Sequence, residues 1–139
     1  MSDTVRFGVS LSLDLLDSFD RLIRKLNYPN RSEAVRDLIR GKLVEEDWET
    51  PGKEVFAAVM LVYDHHQMAL ASRLTEAQHD SRACVIGTFH VHVDRDTCLE
   101  LVVTRGKGKE LRALADRMIS LRGVKYGNLM MGSSDAGLP

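Results

Sequence analysis

The stretch Phe89 to Glu100, FHVHVDRDTCLE, holds two of the chain's five histidines and one of its two cysteines. His90 and His92 sit two apart in a run of Phe and Val that reads as a strand. Alternate strand residues share a face, so both imidazoles project to one side, about 7 Å apart along the chain. Asp94-Arg95-Asp96 has the composition of a turn, which brings Cys98 back alongside the strand. Two imidazoles and a thiolate then converge from one hairpin. Such a mixed N and S set favours late first-row metals. A closed structural zinc site takes four ligands, so a fourth must come from elsewhere. His79, at the end of the preceding helical stretch, is a candidate; His65 and His66 are weaker ones. A planar set would suit Ni(II) or Cu(II), a tetrahedral one Zn(II). The bland alternative is two partly buried strand histidines with Cys98 as a small hydrophobe. Alternate histidines among Val, Ile and Phe, with a cysteine across a hairpin, weigh against it. Cys84 has no histidine at useful spacing and reads as packing.

The elements around this hairpin follow from periodicity. Val55 to Tyr63 is a nearly unbroken apolar run of strand length. Gln67 to Gln78 reads as a helix, with Met68, Ala71, Leu74 and Ala77 in register. Val85 to Val93 and Leu99 to Thr104 are strands joined by the turn, and Gly106 and Gly108 break the second. Leu111, Leu114, Ala115, Met118 and Ile119 mark another helix, Gly123 ends it, and Val124 to Met131 is a last strand. The order βαββαβ predicts a split-βαβ sheet with helices on one face.

The first fifty residues follow a different pattern. VRFGVSL, residues 5–11, alternates as a short strand with Phe7, Val9 and Leu11 on one side and Arg6, Gly8 and Ser10 on the other. Ser12 can cap a helix carrying Leu15, Leu16, Phe19, Leu22, Ile23 and Leu26 on one face. Asn27-Tyr28-Pro29-Asn30 breaks it. Asn30 with Glu33 suggests a capping box for a second helix, which fades through Glu45-Glu46-Asp47. Pro51-Gly52 marks the boundary. The expected organisation is residues 1–50, residues 53–133 and a loose tail over 134–139.

One strand and two helices in about 50 residues bury too little to stand alone, and a lone strand leaves its backbone unpaired. Two copies answer both needs: their strands pair into a ribbon with Arg6, Gly8 and Ser10 outward. A two-stranded ribbon fits the DNA major groove. Between Arg21 and Lys42, seven basic residues (Arg21, Arg24, Lys25, Arg31, Arg36, Arg40, Lys42) face two acidic ones (Glu33, Asp37), a local excess of +5. Asn30-Arg31-Ser32 at the second helix start offers N–H groups, a guanidinium and a hydroxyl suited to a phosphate.

Over the whole chain the net charge is −1, so this basic character is local. No apolar run approaches the about 20 residues that cross a bilayer. MSDTVRFG lacks the charged-then-apolar pattern of a signal peptide. Two cysteines are too few for a disulfide framework, and a reducing cytoplasm is the expected setting. No Gly-rich phosphate loop precedes a helix, and Ser, Cys and His form no nucleophile motif.

RFGVSLSLDLLDSFD, NRSEAVRDLIR, and QH followed by FHVHVDRDTCLE together resemble the nickel-responsive ribbon-helix-helix regulators, the NikR family, from about Val5 to Met131. The resemblance implies an α+β chain: an N-terminal ribbon-helix-helix DNA-binding domain and a C-terminal ACT-like, ferredoxin-like domain. It implies a homotetramer, a dimer of dimers, with the C-terminal domains central. It also implies one planar Ni(II) per chain, held by His90, His92 and Cys98 of one chain and His79 of another. Four planar ligands leave no place for a substrate, which fits a sensor and not an enzyme. Arg6, Gly8 and Ser10 become the base-reading face, and Glu33 and Asp37 a candidate second cation site. Tyr63 and His65 match the family pattern near the interface. The implied function is a repressor of nickel uptake genes that grips a palindromic operator in double-stranded DNA when nickel is bound. The rival is a ribbon-helix-helix regulator whose ACT-like domain senses an amino acid or other small molecule. Gly8 departs from the family, where Thr or Ser often reads a base. DSRAC after His79 lacks the extra histidines of some relatives, and His66 has no assigned role.

Overall fold

The computed structural model of the chain describes residues 3–134, so the tail expected over 134–139 lies, apart from Ser134, outside the described residues. Two compact units divide between Leu43 and Val44.

In the first unit, residues 3–12 carry neither helix nor strand, although their alternation predicts a strand. A strand exists through backbone pairing with another, and this unit holds no second one among the described residues. Helix α1 (Leu13–Lys25) begins as expected: Ser12 is extended and its hydroxyl accepts from the Leu15 N–H at 3.4 Å. Asp14 in the first turn and Arg24 and Lys25 in the last complement the helix dipole. Asn27, left-handed at φ 60°, turns the chain out of the helix. Helix α2 (Arg31–Glu49) opens with the Asn30 side chain accepting from the Glu33 N–H at 2.9 Å. The Glu33 carboxylate pairs with Arg36 and does not return to Asn30, so the capping box is half made. Ile23 and Ala34 are the buried apolar residues of this unit among those described, while Phe7, Val9, Leu13, Leu22, Leu38 and Ile39 are exposed.

α2 does not fade at Glu45-Glu46-Asp47; it continues to Glu49. The reason is Trp48, which is 3% exposed in the core of the second unit, with its indole N–H donating to the Gly132 carbonyl at 3.1 Å. Arg112 lies over the indole ring and pairs with Glu49 at 2.9 Å. Burial of one large aromatic outweighs the unfavourable placement of acidic side chains at the negative end of the helix dipole.

The rest of the second unit is β1 (Glu54–Asp64), α3 (Met68–His79), β2 (Cys84–His92), β3 (Thr97–Lys107), α4 (Gly108–Ile119) and β4 (Val124–Gly132). The sheet order is β2-β3-β1-β4, with every neighbouring pair antiparallel. This is the split-βαβ arrangement read from the sequence. Gly106 does not break β3 as expected; it stays in the strand opposite Val55. Gly108 opens α4, and a Cβ there would collide with the Trp48 carbonyl, so glycine is what admits the last turn of α2. Val55, Ala57, Val59, Leu61 and Tyr63 of β1 share one core with Leu70 and Leu74 of α3 and Leu111, Leu114 and Met118 of α4.

The edge strand β2 carries the histidines, and its phase is set by a bulge. Val85 pairs with Thr104 and Gly87 with Val103, leaving Ile86 as the extra residue. Without it, strand periodicity would put His90 and His92 on the face opposite Val85. With it, Val85, His90 and His92 all stand opposite the core-facing residues of β3: Thr104, Glu100 and Cys98.

Candidate metal centre

Cys98 is fully buried at the start of β3, between His92 of β2 and Tyr63 of β1 in the cross-strand register. His90 and His92 are exposed on β2, so they are not the partly buried strand histidines of the bland alternative. The hairpin turn that returns Cys98 is held by Asp94, whose Oδ1 accepts from the N–H groups of Asp96 and Thr97 at 2.9 Å each. Those backbone donors also hold the Asp94 carboxyl below the usual carboxylate range. Asp94 is thus committed to the turn.

The donor atoms of His90, His92 and Cys98 lie within 4.8 Å of one another. The His90 Nε2 to Cys98 Sγ distance is 3.1 Å. Bonds of about 2.05 Å to nitrogen and about 2.3 Å to sulfur, at right angles to each other, place their donors about 3.1 Å apart; a tetrahedral angle opens that to about 3.5 Å. The pair therefore already has the spacing of neighbouring ligands in a right-angled set, and the residues fit a divalent late first-row metal. His79 does not belong to this cluster within the chain; it is exposed at the end of α3, beside Thr75 and Glu76.

Behind these three candidate donors stands a buried polar pair that the spacing argument did not find. The Tyr63 hydroxyl donates to Glu100 Oε2 at 2.6 Å, and the Tyr63 ring meets His90 edge-on at 6.1 Å. Burial, then the bond to Glu100, pushes the Tyr63 phenol far up. Burial, with the nearby Glu100 and Asp64 carboxylates, also pushes the Cys98 thiol up. Tyr63 entered only through the family resemblance. Glu100 left one faint signal, an acidic residue in the middle of an otherwise apolar strand.

His65 stacks on His92 at 4.7 Å between ring centroids, and His66 lies 3.8 Å from His65. The spacing argument ranked both as weaker candidates for the fourth ligand; neither joins the His90, His92 and Cys98 cluster.

The residues nominated for DNA sit in the first unit. Arg6, Gly8 and Ser10 are exposed, and a Cβ on Gly8 would meet nothing within 4 Å. Arg31 grips Asp20 with two hydrogen bonds of 2.8 and 2.7 Å, which holds the Asp20 carboxyl down. Ser32 is exposed at the start of α2. Asp37 accepts from the Tyr28 hydroxyl at 2.7 Å and from Arg40 at 3.2 Å. With Glu33 paired to Arg36, both carboxylates of the candidate second cation site have partners. No helix among the described residues is long and apolar enough to cross a membrane.

Comparison with known proteins agrees with both halves. Residues 56–132 match the NikR C terminal nickel binding domain, and residues 5–46 match the ribbon-helix-helix proteins of the copG family. A relative from Geobacter sp. (strain M21) is 50% identical over 138 residues, covering 99% of each chain. One from Geobacter sulfurreducens is 51% identical over 131 residues, 94% of each, and one from Solidesulfovibrio magneticus 48% over 134 residues, 96% of each. The names of all three carry the words nickel-responsive regulator. Among solved structures, the ACT domain from GTP pyrophosphokinase of Chlorobium tepidum overlaps at TM-score 0.47 and 13% identity, covering 55% of this chain and 99% of that one. Identity near one half along nearly the full length, with a domain match on each side of residue 50, makes this chain a member of the nickel-responsive regulator family, a family of DNA-binding regulators and not of enzymes.

Proposed function

We propose that this protein is a nickel-dependent repressor of nickel uptake genes, acting in the cytoplasm as a homotetramer of two DNA-binding dimers. The observation that carries this is the His90–Cys98 spacing of 3.1 Å, with His92 beside it. Two donors on the exposed edge strand β2 and one buried at the start of β3 form an incomplete set, and a histidine from a second chain would close it. His79, exposed and apart from the three, is the residue we assign to that role, giving one Ni(II) per chain. Its α3 neighbours Leu70 and Leu74 are buried in the core, so a ligand bond at His79 is transmitted to a packed helix.

In this reading His90, His92 and Cys98 of one chain and His79 of another would hold nickel, which would tie two C-terminal domains together. The protein groups do the rest. Asp94 sets the hairpin that presents Cys98, the Ile86 bulge turns both imidazoles to the thiol's side, and Tyr63 with Glu100 backs the His90 ring. Nickel held there would shift a conformational equilibrium by the difference in its affinity for the two states. For DNA, we assign Arg6, Gly8 and Ser10 as the base-reading face of a paired ribbon on a palindromic operator. Arg31 and Ser32, with the α2 N–H groups, are assigned to phosphate. The scarcity of buried apolar residues in the first unit supports a second copy closing its core. Glu33 and Asp37 are kept as a second cation site; a cation there must displace Arg36 and Arg40.

The test is a Ni(II) titration followed by absorption, with Cys98→Ser alongside, and operator binding measured with and without nickel. A thiolate-to-nickel band saturating at one metal per chain, lost in the variant together with nickel-dependent DNA binding, is the expected result. Nickel-dependent DNA binding that survives Cys98→Ser would sink the proposal.

A further inference from the structure

Arg31, assigned above to a DNA phosphate, is not a free cation. Its guanidinium forks onto the Asp20 carboxylate: Nε donates to Oδ1 at 2.8 Å and Nη2 to Oδ2 at 2.7 Å. The pair joins α1 to the first residue of α2. The Arg31 side chain is 57% exposed and that of Asp20 27%, so the guanidinium is the open partner and the carboxylate stands behind it. The fork occupies Nε and Nη2, and Nη1 keeps its N–H groups for another acceptor. The bond from Arg31, and more weakly the charge of Arg24, hold the Asp20 carboxyl down, so it is ionised at neutral pH. Arg24 also donates from Nε to the Asp20 carbonyl at 3.1 Å. Asp20 therefore fixes a negative charge at the edge of the basic stretch from Arg21 to Lys42.

We propose that Asp20 is a positioning residue that makes Arg31 a contact for one phosphate in register and not a general attractor of DNA. This rests on the reading that the first unit binds DNA with Arg31 on a phosphate. Two consequences of the fork carry it. A guanidinium held at two points is oriented before DNA arrives, so its remaining N–H groups address one place along the backbone. The paired guanidinium is also close to neutral, so its phosphate contact releases little counterion. Non-specific binding is almost wholly counterion release, whereas phosphate hydrogen bonds fix register on the duplex. Asp20 thus takes from random DNA more than it takes from the operator, and the preference between them widens.

The competing account is a surface ion pair that staples α1 to α2 and does nothing else. Fluorescence anisotropy on the nickel-loaded full chain across a salt series separates the two. The probes are an operator duplex recovered by binding-site selection and a random-sequence duplex. Asp20→Asn should tighten binding to the random duplex at least threefold at low salt. Its salt slope should steepen by about 0.9 for each Arg31 that meets a phosphate, and operator preference should fall about tenfold. Arg31→Lys keeps the charge and loses the planar fork, so it should lose preference in the same way. Arg31→Ala should weaken operator binding at least tenfold. If it does, and Asp20→Asn and Arg31→Lys match wild type in slope and preference, the role of Asp20 is overturned and the DNA reading stands. A lower melting temperature in Asp20→Asn, with equal losses on both duplexes and an unchanged slope, would also overturn it in favour of the staple. Arg31→Ala binding like wild type would remove Arg31 from the phosphate and this proposal with it.

Discussion

Cys98 shows how one residue's surroundings would set the terms of metal binding at the proposed site. Its burial raises the thiol, so the metal-free protein holds the proton at neutral pH. If Cys98 ligates the metal as proposed, it does so as the thiolate, and metal entry would expel that proton. Nickel affinity should therefore rise with pH, about tenfold per unit from the thiol alone, until pH passes the raised value. Calorimetry in buffers of different ionisation enthalpy should register about one proton from Cys98, and Cys98→Ser should release one fewer. Glu100 poses the opposite problem, a carboxylate kept in the core by one tyrosine. Tyr63→Phe would leave Oε2 without its donor, at a cost of about 1–3 kcal/mol, read as a lower urea midpoint of the metal-free protein. Gly8 is the case where a side chain can be added freely, since nothing lies within 4 Å of its Cβ position. Gly8→Thr should leave the melting temperature within about 2 °C, an effect below about 0.5 kcal/mol as for ordinary surface changes, and alter which operator is preferred in a binding-site selection.

At the scale of elements, the decisive one is the last turn of α2. Its acidic residues read as a fading helix, yet Trp48 anchors it on Gly132, Gly108 and Arg112. The chain has one tryptophan, so its emission reports this anchor directly. Trp48→Ala should lower stability by about 3–5 kcal/mol, as for large aromatic truncations, and raise amide exchange over residues 44–49. Trp48→Phe keeps most of the packing and loses only the bond to Gly132, so it should cost far less. Equal effects of the two substitutions would mean that the hydrogen bond, and not the buried area, holds the turn. The Ile86 bulge is the other element-scale device. It was invisible to period-2 reading because a bulge is a property of two strands, and only β3 supplies the second.

Over the whole molecule, two units with different needs share one chain. The second has a continuous core beneath a four-stranded sheet. The first leaves most of its apolar face open, with Phe7 71% and Val9 68% exposed. A unit of that kind gains its core from association. Phe7→Glu should therefore abolish DNA binding with or without nickel while the nickel–thiolate band of the second unit persists. Gel-shift and absorption titrations on the same preparation would show it. If the band fell together with DNA binding, the two units would not be energetically separable as their cores indicate.

By itself, the sequence determined the strands and helices of the second unit and the starts of both helices in the first, and it nominated three donors that the fold brings together. Helical and strand periods, the Ser12 and Asn30 caps and the Asp94 turn act over a few residues, so they can be read locally. For the same reason the His90, His92 and Cys98 cluster was readable: a hairpin brings its two strands together within ten residues. Tertiary structure decided what depends on distant partners. It set the face on which the histidines stand, through the bulge at Ile86. It placed Tyr63 against Glu100, and it brought His66 to Asp96 across thirty positions of chain. It also carried α2 on to Trp48. Each of these is a packing or pairing event between segments far apart in the chain, where no local pattern records which partner is near.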